Sequence, residues 1–242
     1  MKPEDLAEQL QRALPANLIS VILYGSAAAG DFVEKRSDYN VLVVAEALGL
    51  TELKAIAQLA RAWMKEGNPP PLCFTLKRLE RSADVFPMEL LDIKENHRVL
   101  YGRDVTTQLK VARTNLRHQL EFELKSKWLQ LQAGYVQAGN DSKRLAALMV
   151  NSLSSFLTFF RGALRLFEQS APSAKLEAMQ ALSRHLGQPS EVFERVHDLK
   201  SGRASWKQLD IEELFRNYLR QIEVVIDAID QYPEQGILPN QP

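Results

Sequence analysis

The sequence predicts an α+β chain: an α/β half over residues 1–105, then an all-helical half over residues 106–232. Three observations carry this reading. Short apolar runs bounded by Gly, Asn and Pro fall at Ser20–Tyr24, Tyr39–Ala45, Leu72–Leu76 and Met88–Ile93, all in the first half. Beyond residue 106 every segment repeats its apolar residues at three and four positions, the period of an amphipathic helix. The last stretch, 233–242, holds three prolines and reads as a disordered tail.

The first element is a helix over 3–14. Leu6, Leu10 and Leu14 recur at every fourth position, Pro3 suits the first turn, and Glu4 and Asp5 favour the positive end of the helix dipole. Pro15 ends it. The strand Ser20–Tyr24 follows, then the small-residue turn Gly25–Ala29, then the strand Tyr39–Ala45. Asp38 and Asn40 introduce that strand two positions apart, so their side chains point to one face. A helix from Thr51 to about Glu66 presents Leu53, Ile56, Leu59, Ala60 and Trp63 to the core, and Gly67-Asn68-Pro69-Pro70-Pro71 stops it. Leu72–Leu76 is the third strand and Lys77–Asp84 a polar helix or loop. In the fourth strand, Met88–Ile93, alternation sends Met88, Leu90 and Asp92 to one face and Glu89, Leu91 and Ile93 to the other. His97–Gly102 closes this half.

The helical half opens with a long helix over 107–138, striped by Leu116, Leu120, Leu124, Trp128, Leu131 and Tyr135. Asn140-Asp141 breaks it. The next helix, 142–167, is apolar enough to sit at the centre of a bundle. Two shorter helices over 173–185 and 190–199 are separated by Gly187-Gln188-Pro189, and a last one covers 211–232.

Lysine plus arginine and aspartate plus glutamate both number 30, so no global field draws the chain to long nucleic acid or to an anionic membrane. A single cysteine, Cys73, rules out an intrachain disulfide and suits a reducing compartment. The first residues lack the apolar core of a secretory signal, and no run is read as a membrane span. Together these features predict a cytoplasmic protein with no membrane partner, and they leave its oligomeric state open.

Gly25-Ser26 is followed by eleven residues and then by Asp38-Tyr39-Asn40, which leads into Val41-Leu42-Val43-Val44. Over about residues 6–101 this arrangement resembles the nucleotidyltransferase superfamily, the DNA polymerase β-like fold of the kanamycin, streptomycin and lincosamide enzymes and of minimal nucleotidyltransferases. That family shows an apolar strand, Gly-Gly or Gly-Ser, a spacer of about this length, and two acidic residues flanking an apolar one. The resemblance implies a mixed sheet with flanking helices and, as in many members, a trailing helical part. It also implies Mg²⁺-dependent transfer of a nucleoside monophosphate from a nucleoside triphosphate, ATP in the first instance, to a hydroxyl on a small molecule or a protein.

Carried onto this chain, the resemblance makes Gly25 and Ser26 the phosphate-binding turn, with Lys35 and Arg36 placed to contact phosphate, and Asp38 the first metal carboxylate. At the second metal position Asn40 replaces the acidic residue. The third carboxylate is Glu89 or Asp92; Glu89 is favoured because it lies mid-strand among apolar residues, where a carboxylate needs a reason. The implied catalytic set is therefore Asp38, Asn40 and Glu89, and the implied metal set adds Asp92. The physical logic is that hard carboxylate oxygens hold Mg²⁺ against the phosphates. An amide oxygen still ligates Mg²⁺, but it brings no charge and bridges two cations poorly. Asn40 thus opens a second expectation, a catalytically inactive nucleotide-binding or regulatory module.

Arg113 and His118 form an Arg-x4-His pair similar to the motif of HEPN ribonucleases. Residues five apart on a helix do not share a face, so a solvated helix surface is the simpler reading. His97, His185 and His197 have no Cys or His neighbour at zinc-ligand spacing.

Overall fold

A computed structural model describes residues 1–25, 27–28, 38–168 and 170–233. The chain divides into two compact units, the first from Met1 to Ala112 and the second beginning at Arg113.

In the first unit, α1 (Pro3–Ala13) buries Pro3, Leu6, Ala7 and Leu10. Then come β1 (Leu18–Tyr24), β2 (Asn40–Ala45), α2 (Leu50–Lys65), β3 (Leu72–Thr75), α3 (Leu76–Arg81), α4 (Pro87–Glu95) and β4 (His97–Gly102). The strands form one mixed sheet in the order β3-β2-β1-β4, with β1 antiparallel to both neighbours and β2 parallel to β3. Alternate residues of the two central strands, Val21, Leu23, Val41 and Val43, pack with Leu6, Leu10, Ile56 and Trp63 of the helices that cover one face. Leu53, expected on the buried stripe of α2, is instead exposed. The Trp63 indole N–H donates to the carbonyl of Pro69 at 2.8 Å, which pins the proline run behind α2.

The expected fourth strand is a helix. Met88–Ile93 lies within α4, where Pro87 takes the first turn and the buried residues Met88, Leu90, Leu91 and Ile93 pair at a spacing of three. Residues 97–102 are the real fourth strand: they occupy the remaining side of β1, pairing Tyr24 with His97 and Ser20 with Gly102. Gly102 has φ +77°, and a Cβ there would sit 2.0 Å from the carbonyl oxygen of Ile19. Only glycine tolerates that approach.

The second unit contains α5 (Arg113–Ala138), α6 (Ser142–Glu168), α7 (Lys175–His185), α8 (Glu191–Ser201), a 3₁₀ turn at Trp206–Gln208, and α9 (Ile211–Asp230). α6 packs against α5, α7, α8 and α9, which makes it the centre of the bundle. Phe156, Phe160, Phe193 and Tyr218 meet there in tilted and edge-on pairs. Gly134 of α5 faces Leu148 of α6; a Cβ at 134 would lie 2.6 Å from a leucine methyl. Asp210 caps α9 by accepting the Glu213 N–H at 2.9 Å. Among the described residues, α6 is the one helix long and apolar enough to cross a membrane by length and composition, and 56% of that window is buried inside the fold. The expected tail lies largely outside the described residues.

Candidate functional site

The site is built at the ends of β1, β2 and β4. β1 finishes at Tyr24, and Gly25 then turns away with φ +81°. The Gly25 N–H donates to the carbonyl of Asn96 at 2.9 Å, and its own carbonyl accepts the Ala28 N–H at 3.0 Å. A Cβ on Gly25 would touch the Asn40 side-chain nitrogen at 3.4 Å, so the expected turn and the expected metal position lie against each other. Ser26, Lys35 and Arg36 fall outside the described residues.

Asn40 opens β2 and pairs with Tyr24, which pairs on its other side with His97. Residues opposite one another in antiparallel strands point to the same face, so Asn40, Tyr24 and His97 form one row across three strands. Asp38 stands exposed two residues ahead of Asn40, and Asn40 itself is half-buried. The Tyr39 N–H between them donates to the side-chain oxygen of Asn68 at 3.0 Å, fixing the entry to β2. Burial pushes the Tyr24 phenol above its usual range, so this hydroxyl stays protonated across the physiological range.

The two carboxylates expected on opposite faces of a strand sit three residues apart on α4, hence on neighbouring positions of one helical surface. The premise that favoured Glu89 does not hold: Glu89 is exposed in the first helical turn, where the dipole welcomes an acid, while Asp92 is half-buried. Asp92 is also tied to the turn through the backbone, since its carbonyl accepts the Asn96 N–H at 3.1 Å and Asn96 in turn accepts from Gly25.

A polar cluster beside this row was not anticipated. His97 Nδ1 lies 3.1 Å from the carbonyl of Lys94, and Nε2 lies 3.1 Å from both Asp104 Oδ2 and Thr106 Oγ1. The Thr106 hydroxyl donates to Asp104 Oδ1 at 2.7 Å, and the Thr106 N–H does so at 2.8 Å. Burial raises the Asp104 carboxyl, but the bonds from Thr106 and His97 outweigh it and hold the group below the ordinary range. Asp104-Val105-Thr106 is a local turn signal visible in the sequence; the approach of His97 is not. Arg113 and His118 are not brought together as a pair: Arg113 Nη1 donates to the Tyr232 hydroxyl at 3.1 Å and His118 is exposed.

Among the described residues no three His, Cys, Asp or Glu side chains converge as a metal site does. The hard oxygens of Asp38 and Asn40 suit one Mg²⁺ completed by phosphate oxygens and water; one carboxylate and one amide do not suit a bridged pair of ions.

A mixed four-stranded sheet flanked by helices and followed by a helical unit is a fold that this chain shares with a solved adenyltransferase. Among solved structures the chain is similar to spectinomycin adenyltransferase AAD(9) from Enterococcus faecialis, determined with ATP and spectinomycin. The two share 15% identity at a TM-score of 0.57, over 90% of this chain and 96% of that one. No protein-family model matches the chain, and no curated protein matches its sequence.

Proposed function

We propose that this protein binds a nucleoside triphosphate, ATP in the first instance, at the Gly25 turn and transfers its nucleoside monophosphate to a hydroxyl of a small molecule or protein. The supporting observation is that Asn40 lies against the Gly25 turn at the end of the sheet, its side-chain nitrogen 3.4 Å from where a Cβ on that glycine would sit. AAD(9), which shares the fold, was determined with ATP and spectinomycin. In the transfer the acceptor oxygen bonds to the α-phosphorus, the bond from that phosphorus to the bridging oxygen breaks, and pyrophosphate leaves. The acceptor proton leaves to water, and Glu89 or Asp92 would serve as the third carboxylate of the metal site. Asp38 and Asn40 would hold Mg²⁺, which would offset the phosphate charge. Ser26, Lys35 and Arg36 complete the phosphate contacts. Residues 1–105 form the nucleotide domain and 106–232 the helical one. We place the protein in the cytoplasm, a reading supported by its lone cysteine and the burial of α6.

Asn40 favours a second reading, in which the same pocket binds nucleotide and regulates a partner without transfer. Calorimetry with ATP and Mg²⁺, followed by release of pyrophosphate from labelled ATP in the presence of candidate acceptors, separates the two. Binding with pyrophosphate release supports transfer, and binding without it supports the regulatory module. If neither ATP nor another nucleoside triphosphate binds, both readings fail.

A further inference from the structure

α5 is apolar on two sides. Its inner face buries Leu116, Leu120, Leu124 and Leu131 within the helical unit. Its outer face carries Phe122, Leu129 and Val136, which are 70%, 58% and 80% exposed. These three are spaced seven apart, so they fall on one line along the helix with a drift of only about 20° per step. Small residues, Ser126 and Ala133, fill the positions between them. Isolated exposed apolar residues need no explanation, but a straight heptad seam on a long helix is the pattern of a surface that meets another helix.

We infer that this seam is a homodimer interface in which α5 packs against α5 of a second copy, antiparallel, about a two-fold axis at Leu129. The spacing is self-complementary about that residue. Leu129 meets its own copy and Phe122 meets Val136 at both ends, so each contact is made twice, as an isologous interface requires. The flanks agree in charge. Glu123, Gln130 and Gln137 border one side of the seam, and Lys125 and Gln132 the other. The antiparallel register puts Glu123 near Gln137 and Lys125 near Gln132, so no like charges are opposed. Lys125 stays neutralised within its own chain by Glu121 at 2.7 Å and Asp230 at 2.9 Å. The three seam residues expose on the order of 350 Å² of side chain per copy. Two copies would bury about 700 Å² from these three residues alone, and the small and polar residues between and beside them must supply the rest of the roughly 1,200 Å² that a specific interface needs. Antiparallel helix dipoles add a favourable contribution.

Sedimentation equilibrium of the full chain over a wide concentration range tests this directly. The expected result is a reversible monomer–dimer equilibrium, with Leu129→Glu shifting dissociation at least tenfold while circular dichroism and thermal unfolding of the monomer stay as in the parent. A parent chain that remains monomeric throughout, or a dimer that Leu129→Glu leaves intact, overturns the proposal. A second readout is independent of any loss of folding. In a Cys73→Ser background, Leu129→Cys is expected to cross-link two copies under mild oxidation, and Phe122→Cys with Val136→Cys is expected to link 122 to 136. Cross-linking of Phe122→Cys to itself overturns the antiparallel arrangement.

Discussion

The backbone N–H of Gly25 donates to the carbonyl of Asn96 at 2.9 Å, binding the turn after β1 to the residue that joins α4 to β4. This bond joins the two halves of the candidate site. The glycine turn and the carboxylate-bearing helix share this bond, and Asn40 lies against the same glycine.

Gly25→Ala is expected to destabilise the fold by about 1–2 kcal/mol, the cost of a left-handed conformation for a residue with a Cβ. The new methyl would also stand in the pocket in contact with Asn40, 3.4 Å from its side-chain nitrogen, so nucleotide affinity should fall as well. Urea unfolding and ATP calorimetry on the same preparation check this. A loss of stability with unchanged ATP affinity would separate the turn from the pocket.

Asn40→Asp restores a charge beside Asp38. It is expected to tighten Mg²⁺ binding about tenfold, because affinity for a hard cation follows the number of charged oxygen ligands. Magnesium titration in the presence of a non-hydrolysable nucleotide measures it. Unchanged affinity would mean that Asp38 and position 40 do not share an ion.

The His97–Asp104–Thr106 cluster makes stability depend on acid. The Asp104 carboxyl is held below its unfolded value, so its contribution is present above the unfolded carboxylate range, near ~3.9, and is lost as pH falls through the lower folded value. Asp104→Asn should therefore lower the urea midpoint at neutral pH, with the gap to the parent narrowing in acid as the carboxylate takes up its proton. A gap of equal size at neutral and acid pH would assign the effect to shape and not to charge.

Gly102→Ala is the severe case. The carbonyl of Ile19 lies 2.0 Å from where the Cβ would be, and the backbone is already at positive φ. A loss of about 3 kcal/mol or more is expected, since β1 and β4 must part locally to make room. Denaturant midpoints measure it, and amide exchange along β4 shows where the sheet has opened.

The helical half was legible in the sequence because helical period is a local property: the stripes of α5, α6 and α9 recur within a few residues of one another. So were β1, β2 and the glycine turn between them, where an apolar run meets small residues. Apolar residues at 88, 90, 91 and 93 satisfy a strand and a helix alike, and only the pairing of His97–Gly102 with the remaining side of β1 decides between them. That pairing also set what the site contains. It put His97 in a row with Tyr24 and Asn40, made Glu89 an exposed residue of a first helical turn, and required glycine at 102 because Ile19, distant in the chain, comes into contact there. Local patterning was enough to say where most segments turn, coil or extend. Which side chains meet was left to the assembled sheet, because register between strands depends on contacts that no single segment contains.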